Sequence, residues 1–504
     1  MESGDRPEMT RLMTLLAILA QAPVLPAAEP GYAELARRFA DAMITQGTDR
    51  WGREHSPQFA SMLLRASPAE LLPDAVFPVE PRGVNRMHVQ NLPNIYKGND
   101  RAHKITYRGG DVAADAGLYQ LLYEISRDTG DTRYAEAADA SLSWFLANAP
   151  LHNGLLPWGE HSGWDFRRER ADYGYAFDGK HEFDSRWPLW DRFMALQPKP
   201  QSGQWTVLEN LSRRLWIGGV NETGERLLYG RHTPLFSFSR PAEAEWAEFG
   251  MFPRHGGYYI DLWSTALATT VDDEFPRFML PRLERFITAL ERQTDEHGFA
   301  AYLEKQTFFF NPRQVASLAV DLEAAAERLE RRLPRLSNRM RQLAARQDQA
   351  IAMSWRYIHP LDAIRRAQAN HAAGPTYVQN FLRTADRYLR PIPPRTLGEE
   401  VADVTQAGRI PEQSADAIEV LLLAWSITQG PRARTYLDAA NARAREAVDL
   451  FLPGDSPLPR SIDRGPTLLD GSPFPEFYSS YLGGDDLMWS LWRLSRVTAG
   501  DSGR

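Results

Sequence analysis

Helical hairpins are the feature of this sequence that most restricts its fold. In segment 111–149, apolar residues recur at helical spacing, stop at a turn, and resume with the same period. Segments 258–290 and 415–450 repeat this pattern at irregular intervals, which does not fit a solenoid of equal repeats. The turns are Thr129-Gly130-Asp131, Val271-Asp272-Asp273 and Thr428-Gln429-Gly430-Pro431. The sequence therefore predicts an all-α fold, an (α/α) barrel or toroid of helical hairpins with an (α/α)7-like ring.

A further hairpin is predicted over residues 314–350. Its first helix carries apolar residues at alternating three- and four-residue steps and stops before Pro334, and a second, basic helix follows it through Ala350. A coiled-coil seam would last barely three heptads here, so a pair of helices packed into the core is favoured. Strands are expected to be scarce, with candidates only at Thr307 to Phe310 and near Leu155.

The start of the chain has the pattern of a secretory signal over residues 1–28. Arg6 and Arg11 precede an apolar run from Leu12 to Leu25, and small residues follow it. The run is too short to span a bilayer, and a helix of the mature fold is the alternative. The signal predicts an exported bacterial protein, periplasmic or secreted. Residues 29–504 contain no Gly/Ser linker or low-complexity tract, so they are expected to form one α/α-toroid domain.

Composition excludes several classes of function. The 504 residues include no cysteine, which rules out disulfides, thiolate metal ligands and a thiol nucleophile. The net charge is −7 with acids and bases interspersed, so no nucleic-acid partner is expected, nor a membrane span once the signal is removed. A local group of basic residues can still attract an anionic sugar, because charges are screened beyond about 10 Å.

Three short segments contain the candidate chemistry: Trp158-Gly159-Glu160-His161, His181-Glu182-Phe183-Asp184 and Gly230-Arg231-His232. Two imidazoles and a carboxylate suit one divalent transition ion, with Mn first and Ni, Fe or Zn as alternatives. Three protein ligands leave coordination positions for water or substrate, and a neighbouring arginine indicates an anionic substrate. Spacing this loose is weak evidence by itself, since histidine and glutamate fall within a few dozen residues of each other by chance.

In this order, the three segments resemble polysaccharide lyase family 2, the metal-dependent pectate lyases. That family has Trp-Gly-x-His, His-Glu-Leu-Lys and Arg-His-Gly segments around a site for metal-assisted β-elimination. The resemblance extends from about Asp111 to Arg254 and is weaker beyond. It implies that His161, Glu182 and His232 hold the metal and that Arg231 is the catalytic base.

Several assignments within the resemblance stay open. Arg231 is alternatively a permanent cation that binds a uronate carboxylate, and the pair Arg254-His255 is an alternative to Arg231-His232. Two residues depart from the family pattern: Asp184 stands in place of lysine and Thr233 in place of glycine. The lost lysine puts homogalacturonan specificity in doubt and leaves a related uronide open. The candidate substrate-binding residues are Arg254, Tyr258, Trp158 and Arg313.

The expected function is cleavage of a pectate- or oligogalacturonate-like chain by a carbon-oxygen lyase. An (α/α)-barrel glycoside hydrolase acting on uronides is one alternative, and it needs two carboxylates flanking the scissile bond. The candidates for that pair are Asp115, Glu160, Asp165 and Asp184. A non-catalytic periplasmic uronide-binding protein is the other alternative. The sequence Gly483-Gly484-Asp485-Asp486 is predicted to begin a helix with acidic capping.

Overall fold

The computed structural model describes residues 31–72, 89–90, 109–149, 156, 162–173, 187–196, 206–220, 222–224, 257–270, 273–298, 300, 302–304, 307–309, 312–352, 360–369, 372–391, 395–396, 407–463, 467–468 and 475–501. Its helices are α1 (Tyr32–Thr45), α2 (Ala116–Thr129), α3 (Arg133–Asn148), α4 (Trp190–Leu196), α5 (Val207–Gly219), α6 (Tyr258–Thr269), α7 (Glu274–His297), α8 (Pro312–Leu329), α9 (Pro334–Ala352), α10 (Pro360–Gln368), α11 (Gly374–Ala385), α12 (Pro411–Ile427), α13 (Gly430–Phe451) and α14 (Gly484–Asp501). Helices dominate the described chain, as predicted.

The predicted hairpins are confirmed as α2–α3, α6–α7 and α12–α13, and the fourth as α8–α9. Helix α2 ends at Gly130, whose φ of 78° is left-handed and favours glycine. The periodic apolar residues of α8 are all buried, which identifies the α8–α9 pair as part of the core. They are Val315, Leu318, Leu322, Ala325 and Leu329.

Helices α2 and α14 pack side by side and run in the same direction. Near their beginnings, the backbone N–H of Leu118 donates to Asp485 Oδ2 over 3.0 Å. At the end of α2, Asp128 Oδ2 accepts from Nε1 of Trp492, in the middle of α14, over 3.2 Å. Both contacts advance in the same direction along the two helices, so their axes are parallel.

Helix α12 packs on α14, also in parallel. Gly483, just before α14, lies directly against Glu412 in the first turn of α12, and further along Arg493 pairs with Glu419. Most residues of α12 are buried, whereas the following helix α13 buries one face. A helix buried on most sides belongs to an inner layer, and an amphipathic helix covers it from outside. We call α2, α14 and α12 the first arc.

Helices α6, α8 and α10 form a second arc. Gly257, before α6, lies against Asp321 in the middle of α8, and Asp261 in α6 pairs with Arg328 near the end of α8. Helices α6 and α8 are therefore parallel, with α6 beginning level with the middle of α8. Arg366 in α10 reaches Glu323 of α8 over 2.9 Å.

The helices outside the second arc are also parallel to one another. Arg339 in α9 pairs with Glu291 in α7 over 2.6 Å, and Gln347 Nε2 donates to Thr294 Oγ1 over 3.1 Å. Parallel inner helices covered by parallel outer helices make up the α/α toroid that the sequence predicted.

The strands are short and lie between the helices. They are β1 (Met62–Leu64), β2 (Val89–Gln90), β3 (Gly109–Gly110), β4 (Ser162–Asp165), β5 (Arg170–Tyr173), β6 (Tyr302–Glu304), β7 (Thr307–Phe309), β8 (Arg395–Thr396), β9 (Ala407–Gly408), β10 (Thr467–Leu468) and β11 (Phe477–Ser479). Strand β7 confirms one candidate, and the other, near Leu155, lies outside the described residues. The remaining strands were not predicted, because two- and three-residue ladders leave no periodic signal.

Strands β1 and β11 join the beginning of the described chain to its end. They pair antiparallel with Met62 opposite Ser479, and Arg65 pairs with Glu476 over 2.6 Å. The buried apolar side chains form one continuous cluster that extends from Ala36 to Leu494. Within the described residues, no helix is both long and apolar enough to cross a membrane.

Candidate functional site

Most residues of the predicted catalytic site lie outside the part of the chain that the structure describes. These are His161, Glu182, His232, Arg231, Trp158 and Arg254, together with the alternative ligand His255. Their assignment stays a prediction. Among the residues that are described, no group of three or more histidine, aspartate or glutamate side chains is placed to hold a metal ion.

The hairpin β4–β5 lies next to the first predicted ligand in the sequence. Ser162 is opposite Tyr173 in the antiparallel ladder, so these two residues form the open end of the hairpin. His161 precedes Ser162, and the chain that leads to Glu182 continues from Tyr173. Paired residues in such a ladder lie about 5 Å apart. The hairpin therefore sends both ligand-bearing segments out from the same end.

The closed end of this hairpin is stabilised by Asp165. Its Oδ1 accepts hydrogen bonds from the backbone N–H groups of Arg167 (3.0 Å) and Arg168 (2.9 Å), and the side chain is buried. Asp165 was a candidate carboxylate for a hydrolase, and these contacts give it a structural role instead. Trp164, considered for sugar stacking, packs edge-on against Trp144 with ring centroids 5.1 Å apart.

Strand β3 connects the hairpin to the first arc. Gly110 pairs with Trp164 and lies against the carbonyl oxygen of Phe59, so closely that a Cβ atom would clash. Asp111 follows immediately and α2 begins at Ala116. The hairpin is thus held at the end of the first arc where α2, α14 and α12 begin.

Two predicted substrate-binding residues have described backbone positions. Tyr258 is the first residue of α6, and Arg313 is the second residue of α8. The N-terminus of a helix carries a partial positive charge and unpaired N–H groups, both favourable for an anionic sugar. Both residues therefore lie at the N-terminal ends of inner helices, like the hairpin of the first arc.

Asp115 lies buried where the beginning and end of the chain meet. Its Oδ1 accepts from Ser480 Oγ over 2.6 Å and its Oδ2 from Ser61 Oγ over 3.1 Å. Burial raises the pKa of Asp115 to about 8, and the charge of Asp111 adds to the shift. The carboxyl is therefore largely protonated at neutral pH. Both its oxygens serve the packing of this junction, a structural role that the sequence did not reveal.

Asp485 lies beside this junction in the first turn of α14. The sequence suggested that it caps its own helix, but its Oδ2 accepts from the N–H of Leu118 and so caps α2. Burial, together with the charge of Asp115, raises the pKa of Asp485 to about 8. Burial also raises the pKa of Asp486, with the charge of Asp485 contributing. Sequence spacing gave no indication that capping would occur between helices so distant along the chain.

A cavity of about 220 Å³ lies on the second arc. Its lining combines arginines, an aspartate, tryptophans and aliphatic side chains: Trp187, Pro188, Trp190, Asp191, Leu208, Leu262, Thr265, Arg328 and Arg365. Nothing in the sequence alone predicted this cavity. The tryptophans spaced three residues apart before and within α4 were the available signal, but their partners come from four other helices.

The comparisons with known proteins agree with the resemblance noted in the sequence. The model of the periplasmic pectate lyase family matches residues 93–216. This range contains Trp158, His161 and Glu182 and ends before Arg231 and His232. The match confirms the resemblance over that segment and supports an enzyme that processes a uronide polysaccharide. It also fits an exported protein, since the family is described as periplasmic.

No curated protein matches this chain. A solved structure of an unsaturated glucuronyl hydrolase variant with the saccharide dGlcA-Glc-Rha-Glc aligns with a TM-score of 0.34 and 14% identity, over 82% of this chain and 91% of that one. A likeness at this TM-score carries no argument about fold or activity.

Proposed function

We propose that the protein is a lyase that cleaves a uronic-acid-containing polysaccharide or oligosaccharide, pectate- or oligogalacturonate-like, by metal-assisted β-elimination. The observation that carries this proposal is the family match, which includes His161 and Glu182. The hairpin β4–β5 supports it, because the two ligand-bearing segments leave from the same end of this ladder. The substrate is an anionic glycan met outside the cytoplasm, and residues 29–504 are the catalytic domain.

The reaction must remove the C5 proton of a uronate, which is weakly acidic because the adjacent carboxylate is already negative. His161, Glu182 and His232 form a donor set of two nitrogens and one carboxylate that fits a divalent transition ion, Mn or else Ni, Fe or Zn. When bound, such an ion supplies positive charge that stabilises the enolate-like dianion as the C4 oxygen departs. The three side chains also fix the orientation of the sugar carboxylate.

Arg231 takes the C5 proton in this proposal. A guanidinium has a pKa above 12 and is charged at neutral pH, so a base needs a lowered pKa, at about 1.4 kcal/mol for each unit. Positive charge nearby lowers it, since a second cation disfavours the charged form of the arginine. The alternative role for Arg231 is a fixed cation that binds a uronate carboxylate.

The remaining predicted contacts concern substrate choice. Trp158 stacks on a sugar ring in this proposal, while Arg254, Arg313 and Tyr258 bind its carboxylates and hydroxyls. The backbone positions of Tyr258 and Arg313 at the starts of α6 and α8 favour anionic groups there. Asp184, in place of the family's lysine, removes one cation and favours a less highly charged uronide than homogalacturonan.

Hydrolysis is the second candidate function, and the described residues offer it little support. Of its four candidate carboxylates, Asp115 and Asp165 are buried and held by structural hydrogen bonds. Glu160 and Asp184 are the pair that remains for it. A non-catalytic uronide-binding protein is the third candidate.

Product chemistry distinguishes the three functions. Incubation of the purified protein with polygalacturonate and Mn²⁺ is expected to generate ultraviolet absorbance, because elimination creates a conjugated double bond. Saturated reducing ends without that absorbance would instead indicate hydrolysis. No product from polygalacturonate, oligogalacturonates or polyglucuronate would favour the binding protein.

The role of Arg231 is tested by Arg231→Lys. If Arg231 is the base, this substitution lowers turnover by several orders of magnitude while metal and substrate binding persist. If Arg231 only binds a uronate carboxylate, the substitution mainly raises KM, by the equivalent of about 1 to 3 kcal/mol, and leaves kcat nearly unchanged.

A further inference from the structure

The cavity on the second arc lies at the opposite end of α8 from Arg313, a predicted substrate-binding residue. Arg328 lines it near the end of α8, whereas Arg313 lies at the beginning of the same helix. Fifteen residues of helix separate them, about 22 Å at 1.5 Å per residue. Thr265, in the last turns of α6, lines it at the level of Arg328. A molecule bound in this cavity therefore lies far along α8 from the backbone position of Arg313.

Two charged side chains at the cavity are available to bind a ligand. Arg365 and Asp191 are exposed, and neither makes a side-chain hydrogen bond or ion pair with another described residue. A guanidinium recognises a carboxylate through paired N–H groups, and a carboxylate accepts hydrogen bonds from hydroxyls. Together they suit a ligand that carries both an anionic group and several hydroxyls.

A second arginine stands at the cavity in a fixed position. Arg328 pairs with Asp261, and the same Nη1 contacts Ser264 Oγ over 3.0 Å. These contacts hold the guanidinium in place while its side chain remains 34% exposed. An arginine that is oriented in advance loses less conformational entropy when it binds a ligand.

The apolar part of the cavity lining is small and suits the edge of a sugar ring, since Trp187 is 7% and Trp190 8% exposed. Trp187 and Trp190 pack edge-to-face with centroids 5.3 Å apart, and both also pack on Phe193. This cluster holds the two indoles rigidly at the cavity, next to Leu208 and Leu262. The volume of about 220 Å³ is below the range of about 300 to 1,000 Å³ typical of drug-sized ligands, which limits the occupant to one ring.

We propose that this cavity is a second binding site for a single uronate residue, with Arg365 binding its carboxylate and Asp191 its hydroxyls. The choice of a uronate among hydroxylated anions rests on the proposed function. The location of the site rests on the cavity alone.

The test is calorimetric titration of the full-length protein with sodium galacturonate, and with galactose as the uncharged counterpart. Glu182→Ala is the background, so that binding at the predicted metal site is weakened. Arg365→Ala is expected to weaken galacturonate binding at least tenfold, and Asp191→Asn to weaken it less. The matched control is Arg331→Ala, an exposed arginine beyond the end of α8 that does not line the cavity.

Unchanged affinity in Arg365→Ala, equal affinity for galactose, or no galacturonate binding at millimolar concentration would overturn the site. Thermal melting of each variant verifies folding, and both substituted side chains are exposed. The outcome is separable from that of the proposed function. Unsaturated product without cavity binding rejects only this site, and cavity binding without any product rejects only the lyase.

Discussion

The two arcs of the toroid accommodate buried carboxylates in different ways. In the first arc, Asp115 and Asp485 accept hydrogen bonds from hydroxyl and backbone N–H groups, and burial raises the pKa of each to about 8. At the second arc, Asp348 of the outer helix α9 is paired with the fully buried Arg366 of α10 and accepts from Tyr377 Oη over 2.6 Å. The raised pKa values of Asp115 and Asp485 make stability depend on pH, whereas the contact between Asp348 and Arg366 makes stability depend on an intact ion pair.

The two arcs therefore have different roles: the first holds the segments that lead to the predicted catalytic residues, and the second stabilises the fold. The first arc holds the hairpin that leads to the predicted ligands in the sequence, whereas arginine–carboxylate pairs tie α8 and α10 of the second arc to the outer helix α9. Substitutions in the two arcs are therefore expected to give different signatures. Substitution of the predicted ligands that follow the hairpin in the sequence should reduce activity without reducing stability. Substitution of the residues in the ion pairs should reduce stability.

The largest effect is expected for the predicted metal ligands. His161→Ala and Glu182→Ala should each reduce turnover on polygalacturonate by several orders of magnitude and lower the bound metal well below one equivalent, while the urea midpoint changes little. Metal analysis and activity on the same preparations provide the measurement. A full equivalent of metal in both variants would contradict the assignment. If metal is retained only in His232→Ala, the third ligand is His255.

The second largest effect is expected for Arg366→Met. It leaves the buried carboxylate of Asp348 and the nearby Glu323 without their shared cation, at a cost of about 3 to 5 kcal/mol in the free energy of unfolding. Urea unfolding measures it. The double variant with Asp348→Asn serves as the control, since removing both charges should recover part of the loss. Equal stability of wild type and Arg366→Met would show that the pair is not needed.

The pH dependence of stability should originate in the first arc. The pKa of Asp485 is raised from 3.8 in the unfolded chain to about 8 in the folded protein. Its stabilising contribution is complete below pH 4 and is lost as the pH rises to about 8. Asp485→Asn keeps an acceptor for the N–H of Leu118 and cannot ionise, so its free energy of unfolding should fall less between pH 5 and pH 8.

Asp139, the ion-pair partner of Arg192, provides the comparison for this experiment. The variant Asp139→Asn should leave the slope between pH 5 and pH 8 as in wild type. If Asp485→Asn shows the same slope as wild type, another group controls the pH dependence.

The smallest effect is expected for Asp165→Ala. Loss of its two backbone hydrogen bonds in the turn of the hairpin should cost about 1 to 2 kcal/mol of stability. Because the other end of the hairpin leads to His161 and Glu182, metal affinity should also decrease. Arg170→Ala, at an exposed side chain of the same hairpin that forms no ion pair with Asp165, is the matched control. Unchanged metal affinity in Asp165→Ala would show that the hairpin does not position the ligands.

The sequence by itself determined the helices, because their signals are local. Apolar periodicity, Gly130 at the end of α2 and Pro334 at the beginning of α9 located the hairpins before any contact was known. The motif around His161 and Glu182 was likewise sufficient to suggest the family, and the comparison with the family model confirmed it over residues 93–216.

Only the tertiary structure decided what several charged residues do. Asp485 accepts a hydrogen bond from the distant helix α2, and Asp115 joins the beginning of the chain to its end. Arg328 and Arg365 meet at one cavity although they belong to different helices. Burial and the approach of distant segments set the pKa and the partners of such groups. Local spacing encodes neither the pKa nor the partners of such a group, since both arise only when the inner helices align in parallel.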